Sequence, residues 1–264
     1  MKHHLALAPL ALISIFPLWW MLTTALRGEA EIYSPWPWPA APTLENFRFV
    51  IAATPVWRLL GNTLAYATLS TAIQLLTATL AAFAFARWRF PFDRTLHALF
   101  ALSWLVPFQV VMIPNYVAIA RLGLIDTLGA LLLPHIASAL AVLMLVQAMR
   151  SFPRDVIEAA QIDGASHWRL LWRIIVPNLR APLAALAILL FISAWNEYFW
   201  PLLLTRTPRS AVIQIGIQSF LTEEGNLWGP LMAMSTMACA PVLLIYVALQ
   251  RQVIDSFLKA GTRG

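Results

Sequence analysis

Dense apolar stretches alternate with short polar ones along this chain. They cover about 5–26, 60–86, 95–114, 127–149, 183–204 and 229–249. Each is close to the roughly 20 residues that a helix needs to cross a bilayer. The pattern predicts an all-α membrane protein: six transmembrane helices in a single domain over 1–264.

The polar interval between the fourth and fifth stretches is the most informative. It reads EAAQIDGASHWRLLWRIIVPNLRAP from Glu158 to Pro182 and is charged at Glu158, Asp163, Arg169, Arg173 and Arg180. Asp163-Gly164 predicts a break, because glycine takes the left-handed conformation that ends a helix. Ser166 can cap the next helix. Trp168, Leu171, Trp172 and Ile175 recur there at helical spacing on one face, and Pro177 is expected to stop it. A helix–break–helix of this kind suits docking into a cleft on a soluble partner.

Glu158, Ala159, Ala160, Asp163, Gly164, Ala165, Ile174 and Pro177 match the E-A-A-x-x-D-G-A … I-x-x-P pattern. The segment therefore resembles the EAA loop of ATP-binding-cassette importer permeases. Leu171 stands where that pattern usually has Phe, keeping an apolar knob. Other stretches resemble the six-span, maltose-type carbohydrate permeases: Thr43-Leu44-Glu45-Asn46-Phe47, Arg87-Trp88-Arg89-Phe90-Pro91, Val106-Pro107 to Pro114, Gly123 to Asp126, and Gln250 to Gly264. The resemblance spans nearly the whole chain. It implies a type I importer permease fold with a coupling loop at about 150–182. It also implies a second, different permease, an ATPase dimer that binds ATP and Mg²⁺, and an extracytoplasmic solute-binding protein. By the same resemblance, the tail from Gln250 reaches into the ATPase dimer; a solvated tail is the plainer alternative.

Composition agrees with the bilayer reading. The chain is 60% hydrophobic and 11% charged, with mean hydropathy +0.72, more apolar surface than a soluble domain of 264 residues can hide. Twelve of the 18 basic residues fall on one side of the predicted spans, including Arg87, Arg89, Arg94, Arg150 and Arg154. The positive-inside rule then places both termini and the EAA-like loop in the cytoplasm. The net charge of +6 is spread between spans, which argues against nucleic-acid binding. Residues 1–26 begin with Lys2 before an apolar run longer than a signal h-region of about 7–15 residues. An uncleaved first span in a multi-pass inner-membrane protein is expected. Cys239 is the sole cysteine, so no intrachain disulfide can form. The first outer loop interleaves Trp36 and Trp38 with prolines. It reads equally as a stiff surface for an external partner and as an interfacial anchor.

No G-x-x-x-x-G-K-[ST] occurs, and neither Lys2 nor Lys259 follows a glycine. A phosphate-cradling loop cannot be built here, so any ATP must bind elsewhere. No zinc spacing and no Ser/His/Asp constellation stands out. No cofactor and no enzyme activity are expected of this chain.

Polar residues within spans are costly in lipid and usually face a cavity or the bundle interior. Glu197 is the one acid well inside a predicted span, in the run Ala194-Trp195-Asn196-Glu197-Tyr198-Phe199-Trp200. Carboxylate and amide can bind hydroxyls while Trp195, Tyr198 and Trp200 stack, which suits a neutral, hydroxyl-rich cargo. The run also resembles the fifth-helix segment of carbohydrate and glycerol-phosphate permeases. The competing reading is interhelical pairing with the other permease. His135, Gln109 and Gln74 are further candidates, with packing the plainer role for His135. Pro107, Pro134 and Pro241 should bend their spans.

The favoured reading is a permease subunit of an ATP-driven importer of a sugar or related polyol. Glycerol 3-phosphate is the alternative cargo. An ion-gradient transporter is the alternative class, disfavoured because one acid in six spans makes a poor relay.

Overall fold

The computed structural model describes residues 2–222 and 225–261 and is mostly helical. The chain divides into two compact units. One takes in the chain up to Thr63 together with Thr205–Val247; the other is built on Leu64–Leu204. Among the described residues the only strand pairing is a short antiparallel ladder, Leu221↔Asn226 and Thr222↔Gly225.

In the first unit, the helix Lys2–Ala25 runs through Pro9 and Pro17 and ends beside Arg27. The Arg27 guanidinium is fully buried and donates to the Ser34 carbonyl at 2.8 Å and to the Trp36 carbonyl, with Trp20 beneath it at 5.1 Å. These contacts tie the tryptophan–proline loop to the helix end. Both Trp36 and Trp38 remain exposed. The interval 27–59 is not loop throughout. It contains the helix Glu45–Ala53, and the second long helix begins at Val56 instead of 60. Asn46 explains its T-L-x-N-F sequence: its amide donates to the carbonyls of Ala25 (3.0 Å) and Arg27 (2.7 Å), which the helix end leaves free. Val50, Val56, Leu59, Ile213, Phe220 and Met234 form the core here. Asn62 donates to the Arg209 and Ala211 carbonyls, and the Ile213 amide donates to the Thr63 hydroxyl at 2.8 Å.

Among the described residues, two helices, Val56–Arg87 and the stretch Trp228–Ile245, are long and apolar enough to cross a membrane. The number rises to five if each of three bent pairs counts as one crossing. The third, fourth and fifth predicted spans are broken helices: the bends expected at Pro107 and Pro134 fall in the third and fourth, whereas the uniform apolar run of the fifth did not disclose its break. Asp93–Leu105 and Phe108–Arg121 meet at 99°. Val106 precedes Pro107 and is forced extended, and Pro107 cannot donate, so the helix restarts. Leu128–His135 and Ala139–Arg150 meet at 47°; Ser138 caps the second piece by accepting from the Ala141 amide. His167–Asn178 and Arg180–Trp195 meet at 79°, and a further break at 196–198 precedes Phe199–Leu204. Pro241, by contrast, lies inside the continuous helix Trp228–Gly261. The side chains of the predicted cytoplasmic tail lie outside the described residues.

The core of the second unit gathers Ala78, Ala82 and Phe83 of the long helix against Val142, Leu145 and Met149, and against Ile157, Leu170, Leu171 and Ile175 of the predicted coupling segment.

Candidate functional site

The predicted coupling segment folds as a helix, a break and a second helix. Arg154–Ile162 forms the first. Asp163 ends it, and Gly164 follows at φ +75°. The Gly164 amide donates to the Gln161 carbonyl (3.0 Å), and the Ala165 amide donates to the Ala160 carbonyl (2.9 Å). This pair of bonds is a Schellman closure, which needs a left-handed residue at the glycine position. The pattern A-x-x-D-G-A thus has a geometric reason. Ala160 is buried, Ala165 packs against the same core, and Gly164 supplies the turn. Glu158, Ala159, Asp163 and Pro177 remain exposed. Ser166 caps the second helix by accepting from the Arg169 amide at 3.3 Å.

That second helix departs from expectation twice. Leu170–Ile175 is a π-helical stretch, whose i→i+5 bonding changes which residues share a face. The buried ridge is therefore Leu170, Leu171 and Ile175, while Trp168 is 63% exposed. Pro177 does not stop the helix. It runs to Asn178, whose amide donates to the Ile174 carbonyl at 2.7 Å, and the chain turns at Leu179. Proline removes one amide donor, and a wide π turn just before it relaxes the crowding that would end an α-helix. Ile162, 86% exposed, and Trp168 leave an apolar rim around the break.

A second cluster forms within the unit where the broken helices come together. The His135 ring stands edge-on to Trp200 at 6.4 Å, and Trp200 is edge-on to Phe108 at 5.0 Å. Phe108 begins the helix after the Pro107 break, His135 ends the piece before the Ser138 break, and Trp200 follows the break at 196–198. Tyr66, on the long helix, places its hydroxyl 3.4 Å from His135 Nδ1, which lies 3.2 Å from the Leu131 carbonyl. With Nδ1–H donating to Leu131, Nε2 is left as an acceptor. The Glu197 carboxylate joins this cluster through Trp200. Its Oε1 accepts from the Phe199 and Trp200 amides at 3.1 and 3.4 Å, capping the next short helix.

Irregular backbone at membrane depth is tolerated only where protein or cavity water satisfies it. Thr77 donates to the Ile136 carbonyl at 2.8 Å, so a carbonyl freed at the break before Ser138 is paired. Helix breaks at mid-bilayer depth are where transporter cargo sites are commonly built.

The residues predicted for the cargo path separate into two groups. His135 and Glu197 lie together with Tyr66 and Trp200. Trp195 is buried and stacks on Phe191 at 5.7 Å. Asn196 is exposed and donates to the Ile192 carbonyl of its own helix. Tyr198 packs on Phe199 at 5.4 Å, and Gln109 is exposed. Residues 196–198 do not continue the helix, which ends at Trp195, so Asn196, Glu197 and Tyr198 lie in a break. Tyr66 and Phe108 escaped the sequence reading. Phe108 sat beside the Val106-Pro107 signal, whereas nothing in the run around Tyr66 set it apart.

The sequence matches, over residues 49–258, the family described as "Binding-protein-dependent transport system inner membrane component". It is 31% identical over 99% of its length to the sulfoquinovosyl glycerol transport system permease protein SmoH of Agrobacterium fabrum, covering 93% of that protein. It is 29% identical to the lactose transport system permease protein LacG of Rhizobium radiobacter (94% and 91% covered) and 30% identical to the sn-glycerol-3-phosphate transport system permease protein UgpE of Rhizobium meliloti (97% and 95%). The fold is similar to a chain of a bacterial ABC transporter that imports the acidic polysaccharide alginate, with TM-score 0.83, 21% identity, and coverage of 95% and 94%. With the helix–break–helix and the broken spans in place, the conclusion follows that this chain belongs to the family of binding-protein-dependent transport system inner membrane components.

Proposed function

We propose that this chain is one of two permease subunits of an ATP-driven sugar importer, crossing the inner membrane six times with both termini in the cytoplasm. The helix Lys2–Ala25 makes the first crossing, added to the two long helices and the three bent pairs, and twelve of 18 basic residues on one side support the orientation. As a permease subunit the chain is not an enzyme. ATP and Mg²⁺ belong to a separate ATPase dimer, and a solute-binding protein delivers cargo from outside.

In this reading Glu158, Ala159, Ala160, Asp163, Gly164, Ala165 and Pro177 form the knob that docks into the ATPase. The Schellman closure at Gly164 carries this assignment, because it presents a rigid, exposed break on a firmly packed base. Movement of the ATPases then shifts the equilibrium between inward- and outward-facing states, and cargo moves by binding one state better.

The cargo path runs past Tyr66, His135, Glu197 and Trp200, with Trp195, Asn196, Tyr198 and Gln109 along its approach or in the contact with the second permease. A carboxylate, an imidazole and a phenol beside indole faces suit a neutral polyhydroxylated cargo. The likeness to UgpE favours glycerol 3-phosphate as a second reading; the Glu197 charge would repel that anion. Uptake of labelled neutral sugars and of glycerol 3-phosphate by cells carrying the whole importer tests the choice. Transport of glycerol 3-phosphate alone would overturn the sugar reading.

A further inference from the structure

Beside the coupling segment, and touching the proposed docking knob at Glu158 alone, lies a cleft of about 730 Å³ that the cargo path does not use. It lies between the end of the long helix, the turn after it, and the start of the coupling helix. Its lining includes Arg87, Arg89, Arg94, Arg150 and Arg154, against two carboxylates, Asp93 and Glu158.

Helix geometry accounts for two of these arginines. Arg87 and Arg150 stand in the last turns of their helices, where the dipole favours a cation, and Arg150 donates to the Phe85 carbonyl at 3.4 Å. The others have no such reason. Arg94 and Arg154 lie in first turns, where the dipole disfavours a cation. Asp93 and Asp155 supply one carboxylate to each of those turns, so the arginines are surplus. Among the described residues, the guanidinium groups of Arg89, Arg94 and Arg154 have no ion pair or hydrogen bond. Two helix N-termini and three unpaired guanidinium groups therefore face one space.

Trp88 marks the depth of that space. It is 44% exposed and packs edge-on to Phe83 and to His167 of the coupling segment, each at 5.4 Å. A half-exposed indole is typical of the headgroup level. Basic pockets between membrane helices on the cytoplasmic side suit anionic lipid headgroups.

We propose that this cleft binds the phosphate of an anionic phospholipid headgroup from the cytoplasmic leaflet, beside the coupling segment. The phosphate accepts from Arg94 and Arg154 at the two helix N-termini, and Trp88 borders the glycerol. The cytoplasmic placement rests on the topology proposed above. Binding is therefore measured in micelles, which have no sidedness, and sidedness is checked separately by thiol labelling.

The full chain, purified in neutral detergent, is titrated with dioleoyl phosphatidylglycerol while its unfolding temperature is followed. Parallel titrations use dioleoyl phosphatidylcholine and inorganic phosphate. Phosphatidylglycerol should raise the midpoint and the other two should not. R94Q/R154Q should weaken apparent affinity on the order of 30-fold, as expected for two lost cationic contacts. R94K/R154K should retain most of it, because lysine keeps the charge. R121Q, at an exposed arginine outside the cleft, should match wild type. Both Arg94 and Arg154 are exposed, so the fold does not depend on them. Unchanged affinity in R94Q/R154Q, or an equal loss in R121Q, overturns the site. Equal protection by inorganic phosphate overturns the lipid as its source.

Discussion

The Ala165 amide closes on the Ala160 carbonyl at 2.9 Å across Gly164, whose φ is +75°. No atom lies within 4 Å of where a Gly164 Cβ would sit, so packing does not require glycine here; backbone conformation does. Gly164→Val should cost about 1–3 kcal/mol of local strain and re-aim the break without disturbing the buried Leu170–Ile175 base. Cargo-stimulated ATPase activity should fall sharply in a complex that still assembles. Gly164→Asn, which tolerates positive φ better, should retain more. Stimulated ATPase at wild-type level in Gly164→Val would remove the closure from the coupling mechanism.

Glu197 does two separable things. Its Oε1 accepts from the Phe199 and Trp200 amides, and it brings a charge beside the cluster that Trp200 forms with His135. Glu197→Gln keeps an acceptor and removes the charge. Sugar uptake should slow on the order of 10-fold, the worth of one charged hydrogen bond, at normal membrane abundance. Asn196→Ala loses only a bond to its own helix and should have the smaller effect. If both variants keep wild-type maximal rate and half-saturation, the cargo site lies elsewhere.

Asn46 holds the end of the first helix through the Ala25 and Arg27 carbonyls. Asn46→Ala should leave both without that donor and destabilise the protein by about 1–3 kcal/mol, seen as a lower unfolding temperature. Gly229→Ala should act on the same contact, since a Cβ there would sit 2.8 Å from Asn46 Nδ2. The double variant should therefore be less damaging than the sum. Strict additivity would argue that the two positions are independent.

Gly216 is needed for space. Its φ is unremarkable, yet a Cβ would press on Met234 Cε and come within 2.5 Å of Leu59 Cδ1. Gly216→Val should cost about 1–3 kcal/mol by overpacking, and shortening Met234 to Ala in the same chain should recover part of it. A Gly216→Val protein as stable as wild type would show that the Met234 thioether simply swings away.

The sequence by itself determined what depends on local chemistry: the apolar stretches, the charge bias between them, and the helix break at Asp163-Gly164. That break was legible because a left-handed residue and its flanking alanines are read along the chain. The tertiary structure alone decided where helices stop within apolar runs. Hydropathy is the same for a straight helix and a broken one: Pro107 and Pro134 mark the bends in the third and fourth spans, but the break at Asn196–Tyr198, and the Thr77 bond that pairs the freed Ile136 carbonyl, show only in the folded chain. The same holds for the π stretch at Leu170–Ile175, which buried Leu170 and turned Trp168 outward, and for Tyr66, which meets His135 from 69 residues away. Such contacts are set by packing between helices, which periodicity within one helix does not record.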